Sequence, residues 1–217
     1  MPRARREHGA RPPPATRAIY FPPMVSSAAR IHATEADFFA IPEEERFHEL
    51  YGGELVQRAL PSGWHGAAQV RLSSSIRAYN RRVGGPEGPG GWRFASEVET
   101  RLAEGIIVRP DLAGWRRERL PAFPETGPID VRPDWVCEIL SRSNTARDPW
   151  DELRLYHQAE IPHDWVLDPE HHTLRVHRFA EPGYQVILDV GSEAVVRAEP
   201  FQDIELRVSE LFDDDDD

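Results

Sequence analysis

The chain has 217 residues, 40% of them hydrophobic, which is enough to bury one core of ordinary density and favours one domain over two. Its formal net charge of -11 argues against the broad basic surfaces that dominate nonspecific nucleic-acid affinity; five of the negative charges lie in the run Asp213 to Asp217, and a local Arg-lined groove stays compatible with the balance. A single cysteine, Cys137, rules out a disulfide framework and a repeated Cys/His zinc pattern, and no apolar window reaches the ~18–20 residues of a membrane span, so a cytoplasmic, non-exported protein is expected. All 26 Lys+Arg residues are arginine.

Residues 1–23 are rich in Arg and Pro and too poor in apolar groups to offset the entropy of ordering, which predicts a disordered leader. Met24 stands between it and the first patterned segment and is a candidate translation start. A single domain is expected over residues 24–212, with 213–217 as an acidic tail. Thr34, followed by Glu35 and Asp37, reads as the N-cap of a short helix that Pro42 stops, with a further turn around Glu43 to Phe47. His48 to Tyr51 and Glu54 to Arg58 flank Gly52-Gly53 and read as a hairpin, since glycine supplies the positive φ a tight turn needs. Apolar residues at Ala68, Leu72, Ile76 and Tyr79 have helical spacing and predict a helix over Trp64 to Arg82, ended by the glycine-rich stretch Gly84 to Gly91.

Beyond that stretch the pattern changes to short runs with the length and β-branched content of strands: Trp92–Ala95, Glu97–Leu102, Ile106–Val108 and Asp134–Leu140. A helix is expected over Arg147 to Ala159, with Leu153 and Tyr156 on one face, before a strand at Trp165-Val166-Leu167; this order predicts a crossover between parallel strands. Leu174–Phe179, Tyr184–Leu188 and Ala194–Arg197 read as an antiparallel meander, and Ile204–Leu211 closes the domain. The fold class is α/β (α+β) with a mixed sheet.

Two acids stand out by position. Asp111 follows Val108-Arg109-Pro110 at a strand end, and Glu138 interrupts the apolar run Trp135 to Leu140. A carboxylate inside a central strand costs several kcal/mol, on the order of 3–5, unless a cation compensates it. Two such carboxylates on adjacent strands suit Mg²⁺ (or Mn²⁺), which prefers oxygen ligands and serves phosphodiester chemistry. The alternative is that Asp111 caps a turn before Leu112-Ala113-Gly114 while Glu138 faces solvent on an edge strand.

Taken in order, Glu49-Leu-Tyr-Gly-Gly-Glu54-Leu, a helix opened near His65, Val-Arg-Pro-Asp111, Val-Cys-Glu138-Ile-Leu-Ser141-Arg-Ser143, a helix reaching Tyr156, and Asp164-Trp-Val-Leu-Asp168-Pro resemble the Uma family of restriction endonucleases. The resemblance runs from about Thr34 to Leu211. It implies the PD-(D/E)XK nuclease superfamily, a restriction-endonuclease-like mixed β-sheet core flanked by helices, and Mg²⁺-dependent hydrolysis of DNA. It places the metal ligands at Asp111 and Glu138, with Glu49 completing the site or standing as an ordinary strand acid. His65 would touch phosphate or cap its helix. A homodimer would suit symmetric cutting of two strands.

One departure bears on catalysis. The superfamily's lysine is missing from the position two after Glu138, which is Leu140, and the family's substitute lysine on the next helix aligns with Glu152. Glu152 would then bind a second metal or act as base, while Arg147 or Arg154 supplies positive charge without accepting a proton. A lysine-free chain also fits a second reading, a nuclease-derived binding or interaction module that has lost catalysis. The tryptophans read mainly as core, and Arg116-Arg117-Glu118-Arg119 reads as a loop that contacts phosphates or is simply solvated. A nucleotide-binding enzyme is set aside, because Gly84 to Gly91 lacks the G-x-x-x-x-G-K pattern.

Overall fold

The computed structural model describes residues 32–58, 60–83, 88–141 and 149–212. The predicted leader, Met24, the acidic tail and Arg147 lie outside the described residues. Thr34 caps α1 (Glu35–Ala40) reciprocally: its hydroxyl accepts from the Asp37 N–H at 3.3 Å, and the Asp37 carboxylate accepts from the Thr34 N–H at 2.8 Å. Pro42 ends the helix, and a 3₁₀ turn at Glu43–Glu45 leads into the predicted hairpin of β1 (His48–Tyr51) and β2 (Glu54–Gln57). Its turn holds Gly52 at φ 61° and Gly53 at φ 75°, a pair of left-handed positions that only glycine occupies without cost.

Helix α2 (Gly63–Ser75) buries Ala68 and Leu72, and Ile76 and Tyr79 continue the same apolar face. It is shorter than the predicted span to Arg82. Ser73 and Ser75 donate their hydroxyls back to the Gln69 and Arg71 carbonyls, and the chain tightens into a 3₁₀ turn at Arg77–Tyr79.

The strands β3 (Trp92–Ala95), β4 (Thr100–Ala103), β5 (Ile106–Val108), β6 (Leu112–Arg116) and β7 (Trp135–Ile139) follow, and α3 (Pro149–Gln158) then connects β7 to β8 (His163–Asp168). As predicted, β7 and β8 are parallel, and β9 (Thr173–Arg178) and β10 (Gln185–Gly191) extend the sheet antiparallel, but the third run of the expected meander, Ala194–Arg197, leaves this sheet. The larger sheet has the order β10-β9-β8-β7-β6-β3; β1 and β2 join β5 and β4 in a second sheet of order β2-β1-β5-β4. A short pair, β11 (Val195–Val196) and β12 (Leu206–Arg207), closes the chain. The mixed α+β architecture of the sequence reading is the one found.

One strand differs from expectation. Leu112 to Arg116 form β6, where the sequence predicts no strand, and Arg116 is its last residue and not part of a loop. Leu-Ala-Gly-Trp contains no β-branched residue, so its strand character comes from pairing with β3 on one side and β7 on the other. Gly114 is fixed by space: a Cβ there would meet the Phe94 ring at 2.8 Å and the Trp135 ring at 3.1 Å.

The two faces of the larger sheet carry separate cores. Trp135, Cys137 and Ile139 of β7 pack with α2 residues, whereas Val136 packs with Ala113, Trp115 and α3 residues Leu153 and Tyr156. Side chains alternate along a strand, so Glu138 and Asp111 share the parity of the α3 face. Ala113 pairs with Val136 and Leu112 with Cys137; one further step of this register sets Asp111 opposite Glu138.

Candidate metal centre

Asp111 is 2% exposed, and all three of its oxygens are held. Its Oδ2 accepts from the Ile139 N–H at 2.7 Å, its backbone carbonyl accepts from Gln69 Nε2 at 2.7 Å, and its Oδ1 accepts from Arg58 Nη2 at 2.7 Å. The β6–β7 register therefore fixes one oxygen and leaves Oδ1 facing the site. Ser62, not His65, caps α2, its hydroxyl accepting from the His65 N–H at 3.2 Å. This frees the His65 ring to point at the acids: Nε2 lies 3.4 Å from Asp111 Oδ1, and both ring nitrogens are buried without a hydrogen bond.

Glu97, which the sequence reading did not single out, completes the group. His65, Glu97 and Asp111 each present a ligand atom, and the three atoms lie within 4.8 Å of one another. Glu97 adopts φ 57°, a strained conformation for a side-chain-bearing residue, with its N–H on the Pro110 carbonyl at 3.1 Å. No sequence signal marks that conformation. Glu49 of β1 is buried, accepts from the Arg109 N–H at 2.6 Å, and lies 3.9 Å from Arg58 Nη1, which is also 3.6 Å from Glu97. Arg58 thus sits among three acids, and the sequence reading missed it because it falls at the end of a hairpin strand, a position that usually faces solvent.

The environments separate the two strand acids. Burial pushes the Glu138 carboxyl well above the usual carboxylate range, helped by the charges of Glu152 and Asp111, while the Tyr156 hydroxyl donates to it. Burial also acts upward on Asp111, but His65, Arg58 and the Ile139 N–H outweigh it and hold its carboxyl below the ordinary value. His65 is desolvated, yet Asp111 and Glu97 pull its affinity for a proton above the ordinary imidazole value. Glu152 on α3 is therefore close enough to act on Glu138, whereas Arg154 pairs with Asp151 on its own helix at 3.6 Å.

The Glu138 shift has a sign that stability can read. A carboxyl raised in the folded state holds a proton that the unfolded chain releases, so stability falls as pH rises from about 4.3 through the folded value. Glu138→Gln removes that cost and keeps an acceptor for Tyr156. The variant should gain on the order of 1 kcal/mol or more over wild type at pH 8 without metal, and less at pH 5. Urea unfolding at both pH values measures it; a variant no more stable than wild type at pH 8 would show that Glu138 does not carry the shift.

A cleft of about 470 Å³ opens beside His65 and is bordered by Trp64, Leu140 and Ser141, which gives room for a nucleotide-sized group next to the imidazole. Trp64 at its lip is 67% exposed, and Trp150 is the other exposed tryptophan; Trp92, Trp115, Trp135 and Trp165 are core, as expected.

A mixed sheet that brings two acids together at adjoining strands, with a helix against each face, defines a restriction-endonuclease-like fold. The chain belongs to the Uma2 family, described as "Putative restriction endonuclease", whose family model matches residues 35–209. Among solved structures, it is similar to a crystal structure from Anabaena variabilis, titled as that of "a putative nuclease belonging to DUF820": the TM-score is 0.65 at 24% identity, over 82% of this chain and 97% of that one. No curated protein matches the chain.

Proposed function

We propose that this protein is a divalent-metal-dependent endonuclease that hydrolyses phosphodiester bonds in DNA. The observation that carries the reading is the His65–Glu97–Asp111 group: a buried imidazole with no hydrogen bond on either nitrogen, aimed at a carboxylate whose second oxygen is already fixed. Carboxylates on a rigid strand pair suit Mg²⁺ or Mn²⁺, and the imidazole favours Mn²⁺ of the two. A bound ion would supply charge stabilisation and a more acidic water at the phosphate. Asp111 and His65 would hold the ion, with Glu97, Glu49 and Glu138 completing or orienting its shell. Glu138, readily protonated and buttressed by Tyr156, is suited to move a proton near the attacking water, and Glu152 stands behind it.

The family membership and the cleft beside His65 support DNA as substrate. A cytoplasmic location and a homodimer remain part of this proposal; among the described residues no helix is long and apolar enough to cross a membrane. The complete absence of lysine favours the second reading, a nuclease-derived binding module, and metal response separates the site from its loss. Millimolar Mn²⁺ should raise the thermal midpoint by mass action, about 2.7 kcal/mol of stabilisation at a hundredfold excess over Kd. An unchanged midpoint, with no metal-dependent cleavage of duplex, single-stranded or branched DNA, would sink the enzyme in favour of the module.

A further inference from the structure

The chain has no lysine, so the cation that assists phosphodiester cleavage has to come from elsewhere. Among the described residues, Arg58 is the one arginine within ion-pair distance of Asp111; Arg154 is paired with Asp151, and Arg109 reaches Glu99 at 3.7 Å. Its backbone is anchored at the end of the hairpin, where the Arg58 N–H donates to the Phe47 carbonyl at 2.9 Å. Only the long side chain has to move to change partners. Nη2 takes Asp111 Oδ1, the same oxygen that faces His65, while Nη1 is buried between Glu49 and Glu97 without a hydrogen bond of its own.

Resting on the nuclease reading above, we propose that Arg58 is the substrate cation of this site: it neutralises the acids while the site is free and passes to the scissile phosphate when Asp111 takes a metal ion. Two observations lead there. First, Asp111 Oδ2 already accepts from the Ile139 N–H, so an incoming cation meets Arg58 at Oδ1, where the two positive charges repel and drive the guanidinium off. Second, a displaced Arg58 stays beside the acids with its planar fork of donors free, and that fork matches two oxygens of a phosphate. Arg58 keeps its charge at any accessible pH, so it does not act as the base; it fixes the phosphate and offsets the charge that grows on its non-bridging oxygens.

The two duties predict effects of opposite sign from one substitution. In Arg58→Met, which keeps length and removes charge, Mn²⁺ titrated alone by calorimetry should bind roughly tenfold tighter, because a competing charge is gone. Metal-dependent cleavage of plasmid and single-stranded DNA by the same protein should fall ~100-fold or more, the scale of losing one charged donor to a developing oxyanion. Arg58→Lys should bring Mn²⁺ affinity back toward wild type and recover part of the cleavage, since an ammonium still meets phosphate as a point charge. Tighter Mn²⁺ binding with cleavage equal to or above wild type would overturn the proposal and leave Arg58 a mere competitor. Weaker binding together with lost cleavage in both variants, with folded thermal melts, would also overturn it and make Arg58 a scaffold for the acids. A wild-type protein that binds Mn²⁺ and cuts nothing would instead remove the nuclease reading itself, and this role with it.

Discussion

Asp111→Asn should lower metal-dependent DNA cleavage by about a thousandfold or more and abolish the stabilisation by Mn²⁺. The amide oxygen can still accept from the Ile139 N–H, so the β6–β7 junction keeps its geometry. The amide nitrogen then faces Arg58 and His65, replacing an acceptor at 2.7 Å from one and 3.4 Å from the other with a donor. Both the ion and Arg58 lose their common partner. Free of metal, the variant should also be less stable than wild type, because Arg58 remains buried with one fewer counter-charge. Glu138→Gln removes a carboxylate from the same site yet should raise metal-free stability, because burial disfavours the Glu138 charge while Asp111 is held charged by its neighbours. Plasmid nicking and calorimetric Mn²⁺ titration measure the Asp111 effect; a variant that cuts within tenfold of wild type would remove Asp111 from the site.

Hydrophobic period and turn chemistry made most of the architecture readable. The capping box at Thr34, the Gly52-Gly53 turn, the buried face of α2 and the β7–α3–β8 crossover each follow from local preferences that agree with their tertiary surroundings. β6 was not readable, because Leu112-Ala113-Gly114 becomes a strand only through its neighbours, with Gly114 chosen for ring clearance. The boundaries of α2 and β4 moved for related reasons: serines bond back to the helix carbonyls, and Glu97 turns the chain with a positive φ before β4 begins.

The site divides along the same line. Asp111 and Glu138 are visible in sequence because an acid beside or within an apolar strand is costly, and the structure brings both to one face through the pairing of β6 with β7. Glu49 is there because β1 is a neighbour of β5, the strand that leads into Asp111. Arg58 and Glu97 are different. Each belongs to a segment whose local pattern fits an ordinary exposed polar residue, and only the closing of the hairpin over the β3–β4 connection puts them near Asp111. Charge complementarity at long sequence separation leaves no local signature, so a reading by period and motif finds the acids and misses the cation between them.

Phe201→Ala should cost about 3–5 kcal/mol of folding stability, a large share of the ~5–15 kcal/mol available to a domain of this size. Phe201 is 1% exposed and lies outside any regular strand, in the connection between β11 and β12. Its ring centre is 4.9 Å from that of Tyr79, 5.1 Å from Trp92, 5.2 Å from Trp135, 5.5 Å from Trp165 and 5.7 Å from Phe94, all in tilted or edge-on contacts. These partners come from the turn after α2 and from β3, β7 and β8, so a single ring fills the space between that turn and three strands of the larger sheet. Truncation leaves a cavity walled by large, interlocked rings that cannot collapse into it, which puts the loss at the high end for a buried aromatic. Phe201→Leu keeps most of the volume and should cost less than half as much. Asp111 and Glu138 lie on the other face of the sheet, so the folded fraction of Phe201→Ala should still bind Mn²⁺ at low temperature, with any weakening arising through His65 on α2, while its urea midpoint falls sharply. A loss below about 1 kcal/mol would mean that the aromatic cluster closes around the gap and that Phe201 does not hold the sheet together.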